Sequence, residues 1–127
     1  MLTPNEFEDI VRQICAAQTS AHPDQWTKGN PFWGHCTVVS LLAQDVFGGD
    51  VLRVDLRTVP GFEDIKWHSW NRFPNGGEID FTRSQLTDPI PKNIPVEVRT
   101  RDNLFSYPTI QHRYELLKSR FQRKITQ

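Results

Sequence analysis

Asn30-Pro31-Phe32-Trp33-Gly34-His35-Cys36-Thr37-Val38-Val39-Ser40-Leu41-Leu42-Ala43-Gln44-Asp45-Val46-Phe47 is the stretch from which the rest of the chain can be read. Proline, glycine and aromatic residues make its first part a turn-rich approach, and from Cys36 onward the residues form a nearly all-apolar, helix-like run. A helix apolar on most sides belongs at the centre of a domain. Gly48-Gly49 can take the left-handed backbone that closes a helix, so the spacing predicts a helix from Cys36 to about Phe47. A cysteine at its start lies near backbone N–H groups with no intrahelical acceptor and near the positive end of the helix dipole. Both favour thiolate over thiol, which makes Cys36 the candidate nucleophile.

Upstream, Thr3-Pro4-Asn5-Glu6 reads as a capping box with proline at the first helical position. Phe7, Ile10, Val11 and Ile14 follow at helical spacing, predicting a helix from Pro4 to about Gln18 with Cys15 on its apolar stripe. Residues 19–35 read as a loop. Downstream, Val51 to Val59 alternates, with Leu52, Val54 and Leu56 on one side and Arg53, Asp55 and Arg57 on the other: a strand with one solvated face. Lys66–Phe73 and Glu78–Thr82 form an expected hairpin across Pro74-Asn75-Gly76-Gly77. Between 83 and 107 the prolines at 89, 91 and 95 leave only a short strand at Val96–Val98 to be read. Ile110, Tyr114, Leu117 and Phe121 mark a terminal helix, with Arg120, Arg123 and Lys124 complementing its C-terminal dipole. The expected architecture is α+β, with helices packed against a small antiparallel sheet in one domain spanning residues 1–127.

The hairpin brings further chemistry. Thiol-dependent acyl transfer needs a thiolate, an imidazole to carry the proton and a group that orients the imidazole. Cys36, His68 and Asp80 supply these in that order. If Trp70 lies opposite Asp80, then His68 faces Thr82, and Asp80 sits diagonal to His68 on one face of the hairpin. A slip of one residue would separate them. An oxyanion hole would combine the Cys36 backbone N–H with a side-chain donor, for which Asn30 is the candidate and Gln44 a weaker one. His35 is placed as a wall of the cleft. Trp70 shares the His68 face and is the expected cleft-lining aromatic, whereas Trp67 points the other way into the core. The plain readings are a buried space-filling cysteine, a hydrogen-bonded structural histidine and a turn-capping aspartate.

Composition narrows the classes. Fifteen basic and fifteen acidic residues cancel, leaving no field that would draw the chain to nucleic acid or anionic membrane. No apolar run approaches the ~20 residues that span a bilayer. The N-terminus lacks the basic and apolar regions of a signal peptide, so the expected location is cytoplasmic. Two cysteines make no disulfide framework, and no Cys-x-x-Cys or His-x-x-x-His pair anchors a metal. The reading requires no cofactor. Its substrate would be a peptide, a protein or a small amide or ester, and the alternative is a non-catalytic peptide- or protein-binding module.

The run from Asn30 to Gly49, with His68-Ser69-Trp70-Asn71-Arg72, Ile79-Asp80-Phe81-Thr82-Arg83, Gln85 and Arg113-Tyr114, resembles the bacterial YunG-like family. The resemblance implies a small stand-alone bacterial protein. Before the cysteine, where it implies glutamine, this chain has His35. More broadly, His68-x-Trp70 followed by Asp80-x-Thr82 is similar to the His and Asp strands of transglutaminase-like and papain-like cysteine enzymes. That similarity implies Cys36 as nucleophile, His68 as base and acid, and Asp80 as orienter.

Overall fold

The computed structural model describes residues 1–127. Four helices and a four-stranded antiparallel sheet make a mixed α+β architecture: α1 (Pro4–Ile14), α2 (Cys36–Phe47), β1 (Asp50–Asp55), β2 (Trp67–Arg72), β3 (Glu78–Ile79), β4 (Val96–Arg99), α3 (Arg101–Phe105) and α4 (Pro108–Ile125). The strand order is β3-β2-β1-β4. No helix is long and apolar enough to cross a membrane.

The Thr3 hydroxyl and the Glu6 carboxylate form the reciprocal capping box that starts α1. The helix stops at Ile14, short of the expected Gln18, because Cys15 and Ala16 are extended. The Thr19 hydroxyl accepts from the Ala16 N–H, offering that backbone a local alternative to the helix. α2 has the predicted bounds, and Gly48 closes it at φ 76°.

β1 and β2 are paired so that Val54 faces His68 and Leu52 faces Trp70, while Asn71 of β2 faces Ile79 of β3. Continuing that register sets Trp70 against Asp80, as the alternation predicts. The hairpin is shorter than expected, because β3 ends at Ile79 and a single 3₁₀ turn follows at Arg83–Gln85. β4 joins the outer edge of β1, with Val54 opposite Val96 and Val51 opposite Arg99.

The sheet is covered differently from what its pattern suggests. The helices pack on the side of Val51 and Asn71, where the Asn71 amide donates to the Ser40 carbonyl of α2 (2.9 Å). Val54 and Leu56, on the other side, meet Phe62 in a small separate cluster beneath the segments around Ile65, Leu86 and Ile94. The Arg53 side, expected to be solvated, is partly covered: the Arg53 and Arg57 guanidinium groups lie 4.0 and 4.4 Å from the Trp67 ring centre.

The main core joins α1, α2 and α4 through Val11, Leu41, Leu117 and a cluster of phenylalanines. Phe7 meets Phe81 at 4.9 Å, Phe47 at 5.5 Å and Phe121 at 5.6 Å between ring centres. Burying a side chain of this size is worth about 1.5–3 kcal/mol. Phe81 is therefore an anchor, and its neighbour Asp80 is held at one place beside β2.

Candidate active site

Cys36 is the first residue of α2, and His35 before it makes no side-chain cap, so the first-turn N–H groups remain free of that competitor. The loop leading in is strapped down by three hydrogen bonds: Ala21 N–H to the Gly34 carbonyl, the Ser20 hydroxyl to the Trp33 carbonyl, and Gly34 N–H to Gln85 Oε1. Gly34 takes φ 74°, and a Cβ there would lie 2.8 Å from the Ala21 nitrogen and closer still to the Ser20 hydroxyl. Glycine is required where the chain turns into Cys36.

The sulfur fills a gap in the sheet. β3 pairs with β2 only at Asn71 and Arg72, leaving the edge of β2 open at Trp67–Ser69. Cys36 Sγ lies there, 3.8 Å from the Trp67 carbonyl and 4.0 Å from the Thr37 hydroxyl. Burial alone would raise its pKa. The His68 imidazole, then the Ser69 N–H and the Thr37 hydroxyl, outweigh burial and hold the thiol below its ordinary value.

His68 is fully buried, and its Nε2 bonds Asp80 Oδ2 at 2.6 Å. Asp80 Oδ1 accepts from the Thr82 N–H (3.1 Å) and hydroxyl (3.3 Å). The carboxylate's orientation is thus set from both ends. Burial would lower the His68 pKa. The bond to Asp80, and then contact with Cys36, reverse this and raise it to about 10. Nδ1 is buried with no partner in hydrogen-bonding geometry. The sulfur and the imidazole thus perturb one another without a full hydrogen bond between them. The structure brings Cys36, His68 and Asp80 together.

The surrounding candidates are placed differently. His35 is no cleft wall: it is fully buried, with Nε2 on the Thr19 hydroxyl (2.6 Å) and Nδ1 on the Trp33 carbonyl (2.9 Å). Burial lowers its pKa to about 4, so it is a neutral internal brace. Asn30 sits in the turn that pairs it with Thr27 and does not line the cleft, so it is no oxyanion donor to Cys36. Gln44 is committed to the Gly49 carbonyl and Arg101.

Two depressions flank the triad. One, of about 150 Å³, holds Cys36 with Trp33, Trp67, His22, Gln85 and Arg113. The other, of about 560 Å³, is lined by Trp70, Asp80, Glu78, Leu86 and Ile90. The expected roles of the tryptophans are therefore corrected: Trp67 walls the thiol cleft, while Trp70, its Nε1 on Glu78 (2.8 Å), walls the larger depression. Arg113 of α4 was not singled out as a site residue. A charged residue beside Tyr114, between Ile110 and Leu117 on an otherwise apolar stripe, was the available signal. No group of three or more His, Cys, Asp or Glu is arranged to hold a metal ion.

Fold and site together define a small α+β protein with a cysteine–histidine–aspartate constellation at a helix start. The family model described as "YunG protein" matches residues 3–126, and the chain belongs to that family. Over 115 residues it is 32% identical to a Bacillus subtilis (strain 168) protein named "Uncharacterized protein YunG", covering 89% of this chain and 90% of that one. No solved structure matches it.

Proposed function

We propose that this protein is a thiol-dependent acyl hydrolase or acyltransferase of protease, amidase or deamidase type, built on a papain-like or transglutaminase-like core. One observation carries the reading: a fully buried histidine commits one ring nitrogen to a carboxylate, leaves the other without a partner, and lies against a cysteine whose thiol is held below its ordinary pKa. A structural histidine gains nothing from an unpaired buried nitrogen.

In this reading the Cys36 thiolate attacks the carbonyl carbon of an amide or ester. A C–S bond forms, and the carbonyl π electrons move to oxygen, next to the Cys36 N–H at the helix start. Collapse breaks the bond to the leaving group, which takes the proton from the His68 imidazolium. Water or an amine then adds to the thioester, gives its proton to neutral His68, and expels the thiolate. Asp80 keeps the Nε2 proton in place throughout, so that Nδ1 is the position that exchanges protons.

The test is the pH dependence of Cys36 alkylation, followed by mass spectrometry. Cys15, buried in the core with its thiol pushed up by burial, serves as internal control. Labelling of Cys36 that persists well below the ~8.5 of an ordinary thiol, and is lost in His68→Ala, is the expected result. Equal, slow labelling of both cysteines in the folded protein would remove the basis for the proposal. A second reading, a non-catalytic binding module, draws support from the larger depression beside Trp70. It predicts a ligand whose affinity is unchanged in Cys36→Ala.

A further inference from the structure

Arg113 is the one guanidinium in the thiol cleft, and it has no carboxylate partner. Its protein contacts are two carbonyls, those of Thr19 and Gly34, at 3.5 and 3.4 Å, both made by the same terminal nitrogen. An arginine carries five N–H donors in a planar fork, so the remaining donors of this half-buried group are free beside the nucleophile. The other arginines near the sheet behave differently: Arg53, Arg57, Arg72 and Arg83 each hold a carboxylate. Desolvating a guanidinium that no carboxylate pairs is costly, and attraction to the Cys36 sulfur offsets only part of that cost here. A position that keeps one on the buried side of a helix suits an anion that arrives from outside.

Taking the Cys36–His68 reading as its basis, we infer that Arg113 anchors a carboxylate on the substrate, so that the acyl group presented to Cys36 belongs to an amide or ester that carries a free carboxylate. A carboxylate fits better than a phosphate group. The cleft is only about 150 Å³ and must also admit the scissile carbonyl, and its single arginine is offset by the exposed Asp64 at the rim. With Asp64 already opposing the guanidinium, each further negative charge on a ligand adds repulsion, which disfavours a dianion more than a monoanion. The fork geometry of arginine also favours the planar, two-oxygen acceptor. Arg113 acts here as a binding residue, distinct from the His68, Ser69 and Thr37 contacts that hold the thiol down.

The separation can be read with two alkylating reagents of the same size, iodoacetate and iodoacetamide, which differ in the carboxylate. Rates at Cys36 are taken at pH 7 and pH 9 on the whole chain, so that even an unactivated thiol is labelled at the higher pH. The expected result is that Arg113→Gln lowers the iodoacetate-to-iodoacetamide ratio on the order of tenfold, with the fall in the iodoacetate rate exceeding any change in the iodoacetamide rate. Arg113→Lys should retain part of the ratio, and Asp64→Asn should raise it. In the unaltered protein, propionate should protect Cys36 from iodoacetamide and propionamide should not, a measurement independent of whether any variant folds. An unchanged ratio, a parallel fall in both rates, or equal protection by the two compounds would overturn the inference. An ordinary iodoacetamide pH profile with the ratio effect intact would instead sink the Cys36–His68 reading and leave the anion site standing.

Discussion

Asp80→Asn is the substitution whose outcome depends most closely on the geometry of the site. The side chain keeps its size, but an amide has one acceptor oxygen where the carboxylate has two. Oδ1 of Asp80 already accepts from the Thr82 N–H and hydroxyl, while Oδ2 accepts from His68 Nε2. Asparagine can satisfy Thr82 with its oxygen only by turning its NH₂ toward His68. Nε2 must then accept a hydrogen bond, which forces the ring proton onto Nδ1, the position needed to take the thiol proton. The imidazole loses both the charge that raises its pKa to about 10 and the tautomer that makes it a base. Without that partner, burial dominates at Cys36 and the thiol moves up. At pH 6 an ordinary thiol is only ~0.3% thiolate, so about 300-fold is the ceiling on the loss for a thiol returned to its ordinary value. Part of this is offset, because a thiolate of higher pKa is the better nucleophile. A fall in the iodoacetamide rate of roughly 30- to 100-fold at pH 6, shrinking to a few-fold at pH 10, is the expected profile. Asp80→Ala, which admits water to Nε2, should be hit less hard than Asp80→Asn. If Asp80→Asn kept the unaltered pH profile while folded, the carboxylate would not be holding the imidazole, and the reasoning above would fail.

His35 makes a prediction about stability rather than reactivity. Its pKa is lowered from 6.5 to about 4 by burial, so the unfolded chain takes up a proton that the folded one refuses. Stability should therefore fall as pH drops from about 6.5 toward 4, by at most about 3 kcal/mol from this group, and level off below. His35→Gln should flatten that part of a plot of Tm against pH. Gly34→Ala sets a side chain against Ser20 and the Ala21 nitrogen at a positive φ. The expected cost is about 2 kcal/mol or more, seen as a lower urea midpoint, with Cys36 labelling impaired in the folded fraction because the loop that aims it has shifted.

Local pattern carried the elements that hold the triad. The bounds of α2 follow from an apolar run that begins after a turn and ends at Gly48, and both signals are sequence neighbours. The diagonal placement of Asp80 and His68 follows from the period of two and from a short turn at 74–77, which leaves few registers to choose from. The end of α1 was less legible, because the Thr19 bond that competes with the helix lies beyond its periodic stripe. A short strand at Val96–Val98 could be read between the prolines, but its place at the outer edge of β1 could not.

What lies around the triad was decided by tertiary packing. Alternation put Trp67 and Trp70 on opposite faces of β2, yet it could not say which face looks onto the thiol. That depends on β3 stopping at Ile79 and on the start of α2 moving into the open edge. The sequence placed His35 and Asn30 close to Cys36 along the chain, where they looked like members of the site. The loop turns His35 inward to Thr19 and leaves Asn30 in its own turn with Thr27. Arg113 is separated from Cys36 by 77 positions in the numbering and reaches the cleft only because α4 packs across α2. The sequence by itself determined which residues could form a nucleophile, a base and an orienting acid, because helix starts and strand registers are short-range properties. The tertiary structure decided what Cys36 faces, because the walls of a cleft come from segments brought together by a shared core.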